Sequence, residues 1–134
     1  MATTPAIDMT TETIVGISTN AGNGQTLMES AYHPLVAATG TDTAVAWVDA
    51  KGWISLCVYV DITTSGTLNI VGSNAKANPG TSDNGFAIAT AITADGFATV
   101  TQEKLTRWVK VYPSASGGAM TVDLRVLKIA MNAV

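Results

Sequence analysis

From Trp53 to Ile62 every second residue is aliphatic: Ile54, Leu56, Val58, Val60 and Ile62. A period of two marks a strand with one face on a core, and a helix would scatter those residues around its circumference. Shorter segments repeat the theme. Thr13–Ile17, Thr43–Val48, Thr67–Val71, Phe86–Thr93, Phe97–Thr101, Thr106–Tyr112 and Met120–Val126 all read as strands. Turn residues separate them at Asn20–Gly24, Asp49–Gly52, Thr63–Gly66, Asp95-Gly96 and Pro113–Gly118, where Gly and Asn tolerate positive φ. Thr63–Gly66 and Ala94-Asp95-Gly96 are read as hairpin turns. Gly72–Gly85 is a long polar excursion.

Leu27–Tyr32 has room for one helical turn, stopped by His33-Pro34, and no long helix fits anywhere. After Val126 the apolar parity passes to Leu127, Ile129 and Met131, which predicts either a β-bulge or an end buried on both faces. The expected fold is therefore all-β: an antiparallel β-sandwich or jelly roll of about seven or eight strands. The Thr-rich stretch Met1–Glu12 reads as an extended N-terminal arm, leaving residues 13–134 as one sandwich domain.

Composition narrows the function classes. Hydrophobic residues make up 47% and charged residues 13% of the 134 positions, about half the usual charged share of ~25%. A surface so poor in charge points to assembly. The net charge of −3 rests on seven scattered Lys and Arg, of which only Lys104, Arg107 and Lys110 cluster, with Glu103 beside them. Nucleic acid needs several convergent cations, so it is not expected as a partner. No window approaches the ~18 apolar residues of a membrane helix, and Met1–Asn20 lacks the charged start and apolar run of a secretory signal. Synthesis in a cytoplasm is the expectation.

Catalytic chemistry finds little support. His33 is the only histidine, and one imidazole between Tyr32 and Pro34 defines no proton relay. The single Cys57 sits inside the clearest strand, where a thiol behaves as a small apolar group, and it excludes an internal disulfide. The ten acids are dispersed. Asp42, Asp49, Asp83 and Asp95 fall near loops without the spacing of a calcium-binding loop. The glycine-rich spots at Asn20–Gly24 and Gly117-Gly118 open no helix after a strand, so a phosphate cradle is not indicated. No catalytic, cofactor or metal residue is assigned.

The aromatic residues stand out instead. Trp53 and Tyr59 share parity on one strand, and Trp108 and Tyr112 on another, in each case opposite the aliphatic stripe. Mixed with Ser55, Asp61 and Lys110, they make a candidate subunit or partner interface, because Trp and Tyr carry much of the energy at contact surfaces. The competing reading is a second layer, or the arm, covering them within one subunit.

Four segments in order carry a family resemblance: Trp53-Ile54-Ser55-Leu56-Cys57-Val58-Tyr59-Val60, then Ser65-Gly66-Thr67-Leu68-Asn69-Ile70-Val71-Gly72-Ser73-Asn74, then Arg107-Trp108-Val109-Lys110-Val111-Tyr112, then Thr121-Val122-Asp123-Leu124-Arg125-Val126. Over a little more than half of the chain, this resembles small β-sandwich proteins of tailed-bacteriophage virions. The resemblance implies a capsid decoration or cement protein at the virion surface. It further implies a homo-oligomer, with a trimer favoured, docked on the major capsid protein and with Met1–Glu12 as a reaching arm. The alternative is a carbohydrate- or receptor-binding module of a tail fibre, with Trp47, Trp53 or Trp108 stacking on sugar rings.

Overall fold

The computed structural model describes residues 12–20, 25–32, 45–62, 65–114 and 120–129. Nine strands and one short 3-10 turn account for most of them. In chain order these are β1 (Glu12–Asn20), β2 (Gln25–Tyr32), β3 (Val48–Asp49), β4 (Trp53–Ile62), β5 (Thr67–Ser73), β6 (Phe86–Ala87), β7 (Gly96–Thr101), β8 (Trp108–Ser114) and β9 (Met120–Ile129), with the turn at Gln102–Lys104. They form two antiparallel sheets, one ordered β1-β2-β9-β4-β7 and the other β3-β8-β5-β6. The expected β-sandwich is therefore what the chain builds.

Leu56, Val58 and Val60 of β4 pack with Val122, Leu124 and Val126 of β9 on the inner face of the five-stranded sheet. Leu68, Ile70, Val109 and Val111 face them from the other sheet. All ten are buried, and the alternation along β4, β8 and β9 follows from the two-residue period of a half-buried strand. The turn into β4 depends on Gly52, whose φ of +83° suits a residue without Cβ. There Lys51 N–H donates to Asp49 Oδ1 and Trp53 N–H to the Ala50 carbonyl.

Several expectations are corrected. Leu27–Tyr32 is no helical turn but part of β2, hydrogen-bonded between β1 and β9. Partnership in a sheet overrides a weak local helical preference. The connections after Ile62 and at Asp95-Gly96 are not hairpins, because β4 and β5, and likewise β6 and β7, belong to different sheets. Each of these turns carries the chain from one layer to the other. Segment 86–92 is strand only at Phe86–Ala87 and at an isolated bridge between Ile92 and Leu68.

The anticipated bulge lies in the ladder where parity switches, but on the opposite strand. Trp53 pairs with Lys128 and Ser55 with Leu127, so Ile54 of β4 is the extra residue. Ser30 of β2 is fully buried, and its Oγ has no hydrogen-bond partner among the described residues. A desolvated hydroxyl without a partner is unfavourable. Ser30→Ala is expected to raise stability by about 1 kcal/mol, read as a higher midpoint in differential scanning calorimetry.

Candidate functional site

The four aromatic residues expected to form an interface occupy three different environments. Trp53 is a correction: it is 5% exposed and belongs to the core. The bulge at Ile54 reverses parity below Ser55, so Trp53 turns inward while Cys57 and Tyr59 keep the outer face. Tyr59 remains exposed and lies directly across from Phe97 of β7, ring centroids 5.8 Å apart. Beside this pair, Cys57 Sγ lies 3.2 Å from Thr99 Oγ1.

Trp108 and Tyr112 are both half-buried: residues 74–85 lie over Trp108 and Lys110 as a flap, while Tyr112 packs against the core cluster. The covering layer is thus a loop of the same subunit. Lys110, between the two aromatics on β8, is fully buried and pins the flap. Its Nζ donates to the Thr81 carbonyl (2.9 Å), the Asp83 carbonyl (3.2 Å) and Asn84 Oδ1 (3.0 Å). The Trp47 and Tyr112 rings lie 5.7 and 5.3 Å from the same ammonium. An ammonium has three donors and no acceptor, so three oxygens match its valence, and two ring faces add cation–π attraction.

Trp47 is buried too, its indole N–H shared between the Gly80 and Asp83 carbonyls. Trp108 donates to the Ala75 carbonyl and lies under the Arg107 guanidinium, 5.2 Å from the ring centroid. Asn78 and Asp83 side chains accept from the backbone N–H two residues on, which holds the flap's own turns. A sugar-stacking platform requires an accessible indole face. Trp47 and Trp53 offer none, and Trp108 is half-buried with one face under Arg107.

The dispersed acids are engaged one at a time. Asp49 takes a two-point contact from Arg107, 2.9 and 3.0 Å. Asp95 accepts from Ile62 N–H at 2.6 Å. Among the described residues no group of three His, Cys, Asp or Glu could hold a metal, while His33 and Asp42 lie outside those residues. The guanidinium beside Asp49 holds its carboxyl below the usual carboxylate range. A lowered folded-state pKa gives stability that is present above the unfolded value, near ~3.9, and lost as pH falls through the folded one. Asp49→Asn should therefore flatten the fall in urea midpoint below pH 4. The effect should be small and salt-sensitive, because both partners are largely exposed.

A groove runs along the open side of the sandwich, between β7 and segment 86–92. It has a volume of about 460 Å³, with small side chains such as Ala89, Ala91 and Ala98 along it. Past Lys104 it continues to Phe86. Phe97 and Phe86 are 66% and 52% exposed, so a large aromatic stands at each end. Among the described residues β7 pairs only with β4, which leaves its groove-side edge unmatched.

Sequence reasoning missed this groove. Its signals were the alanine-rich, nearly uncharged run from Phe86 to Ala98 and the two phenylalanines bounding it. No protein-family model, no curated protein and no solved structure matches this chain.

Proposed function

We propose that this chain is a non-catalytic structural protein of a phage virion, a homo-oligomer (a trimer by preference) that decorates the capsid surface by docking on the major capsid protein. One observation carries the assembling half of that reading. Among the described residues, four of the five large exposed hydrophobic side chains sit on edge strands, Ile14 and Val15 on β1, Phe86 on β6 and Phe97 on β7, and the fifth, Tyr59 on β4, lies beside Phe97. A protein that works alone protects its strand edges with charge, proline or cover, because bare edges recruit other chains. Neither β1 nor β7 contains Lys, Arg or Pro. The capsid half is supported by the resemblance of residues 53–126 to phage β-sandwich proteins. With the indoles of Trp47 and Trp53 built into the fold, sugar stacking has less to work with.

Size-exclusion chromatography with light scattering should give one discrete oligomer at micromolar concentration. The protein should also cosediment with heads assembled from the major capsid protein encoded nearest its gene. A stable monomer would remove the assembling half, and an oligomer that leaves heads bare would remove the capsid half.

A further inference from the structure

The groove beside β7 has the features of a strand acceptor. A free edge offers unpaired backbone donors and acceptors, the small residues along it leave room for a main chain, and flanking aromatics supply apolar contact. An extended segment added to such an edge gains its affinity from main-chain hydrogen bonds, and pockets for alternate side chains set its specificity. We infer that the occupant is the N-terminal segment of a second copy, residues 1–11, seated along β7 so that copies exchange arms.

Three observations select this occupant. The first is reach. β1 and β7 are opposite edges of the five-stranded sheet, four strand spacings or about 19 Å apart. Residues 1–11 span at most about 40 Å, and lying along the six residues of β7 uses about 20 Å of that. The position beside the outer edge of β7 is one strand further out, about 24 Å from β1, so the remaining ~20 Å does not let residues 1–11 cross the sheet and also fill their own copy's groove, whereas a neighbour's groove carries no such limit.

The second observation is charge. Lys104 is the cation on the groove, and Asp8 is the one charged side chain in residues 1–11. The third is pattern. Ala6-Ile7-Asp8-Met9-Thr10-Thr11 alternates, so an extended chain presents Ile7 and Met9 on one side and Asp8 on the other. Pro5, which lacks an N–H, suits a segment with one edge open to solvent. Exchange of this kind joins two different patches, arm and groove, and heterologous contacts close into a ring when the rotation between copies returns to the first one. A three-fold ring satisfies that requirement. The inference rests on self-association alone, so failure of capsid docking would leave it standing.

Complementation tests it in the full chain. Ile7→Asp/Met9→Asp cripples the arm, and Ala98→Glu fills the groove. Lys104→Glu is a second groove variant at an exposed position, in case Ala98→Glu perturbs the fold. Circular dichroism checks that each variant folds. Light scattering should show wild type as an oligomer, each variant alone as a monomer through at least a tenfold weaker association, and the 1:1 mixture as a dimer. That dimer forms because one intact arm meets one intact groove. An arm variant that stays oligomeric, a folded pair of groove variants that both stay oligomeric, a monomeric wild type, or a mixture that remains monomeric would each overturn the inference.

Discussion

Lys110→Met should lower stability by about 3–5 kcal/mol. The substitution keeps the length and apolar stem of the side chain and removes only the ammonium. It thereby strands the Thr81 carbonyl and Asn84 Oδ1 around a methyl group and leaves the Asp83 carbonyl with only the shared Trp47 indole N–H. Each acceptor left without a donor in a dry site costs about 1–3 kcal/mol unless it can return to water. Returning to water means lifting the flap, which uncovers Trp47. The expected record is a lower urea midpoint together with a red-shifted tryptophan emission. Lys110→Arg should not restore wild-type behaviour, because a planar fork cannot aim three donors at oxygens arranged around a point charge. A Met variant as stable as wild type would mean that the flap is held by its own turns and the indole contacts.

Gly85→Ala should be comparably damaging, at about 3–5 kcal/mol. Gly85 closes the flap with φ at +56°, a conformation that carries a strain penalty for residues with a Cβ. A methyl there would also collide with the backbone carbonyl of Gly72 and come within 2.7 Å of Trp47 Cη2. Backbone cannot rotate aside as the tip of a side chain can. The effect is measured in the same urea titration. Because both substitutions release one flap, the double variant should lose clearly less than the sum of the two, since neighbouring sites on one element are not additive.

How much of this was readable in the sequence depends on the range of the interaction responsible. Strands β4, β8 and β9 were legible because each carries its own two-residue period, and the inward sets Val109 and Val111, and Met120 to Val126, were read as they stand. Trp53 was not, because its parity is set by a bulge defined only by the pairing of β4 with β9. Lys110 reads locally as an outward, solvated lysine. Its burial comes from oxygens 26 to 29 positions away, and no local pattern encodes that. The polar excursion at 72–85 was recognised as a loop, but its role as a lid over β8 depends on the same distant contacts. The groove was invisible because it is the space between two edges that only the topology brings side by side. The proposed capsid role owes nothing to periodicity and rests on the resemblance, while the bare margins bear only on assembly.

The order of strands in the larger sheet also governs how the chain comes into being. β9, the last strand among the described residues, sits inside that sheet between β2 and β4, and it supplies Met120, Val122, Leu124 and Val126 to the core. A nascent chain lacking residues 120–129 has neither the middle of its sheet nor a quarter of its buried stripe. Collapse of this sheet therefore waits for the ribosome to deliver residues 120–129, and closure over such long sequence separations is intrinsically slow. Until that final ribbon slides into place, the early strands present open edges to one another's copies. That interval is the protein's period of greatest exposure to misassembly.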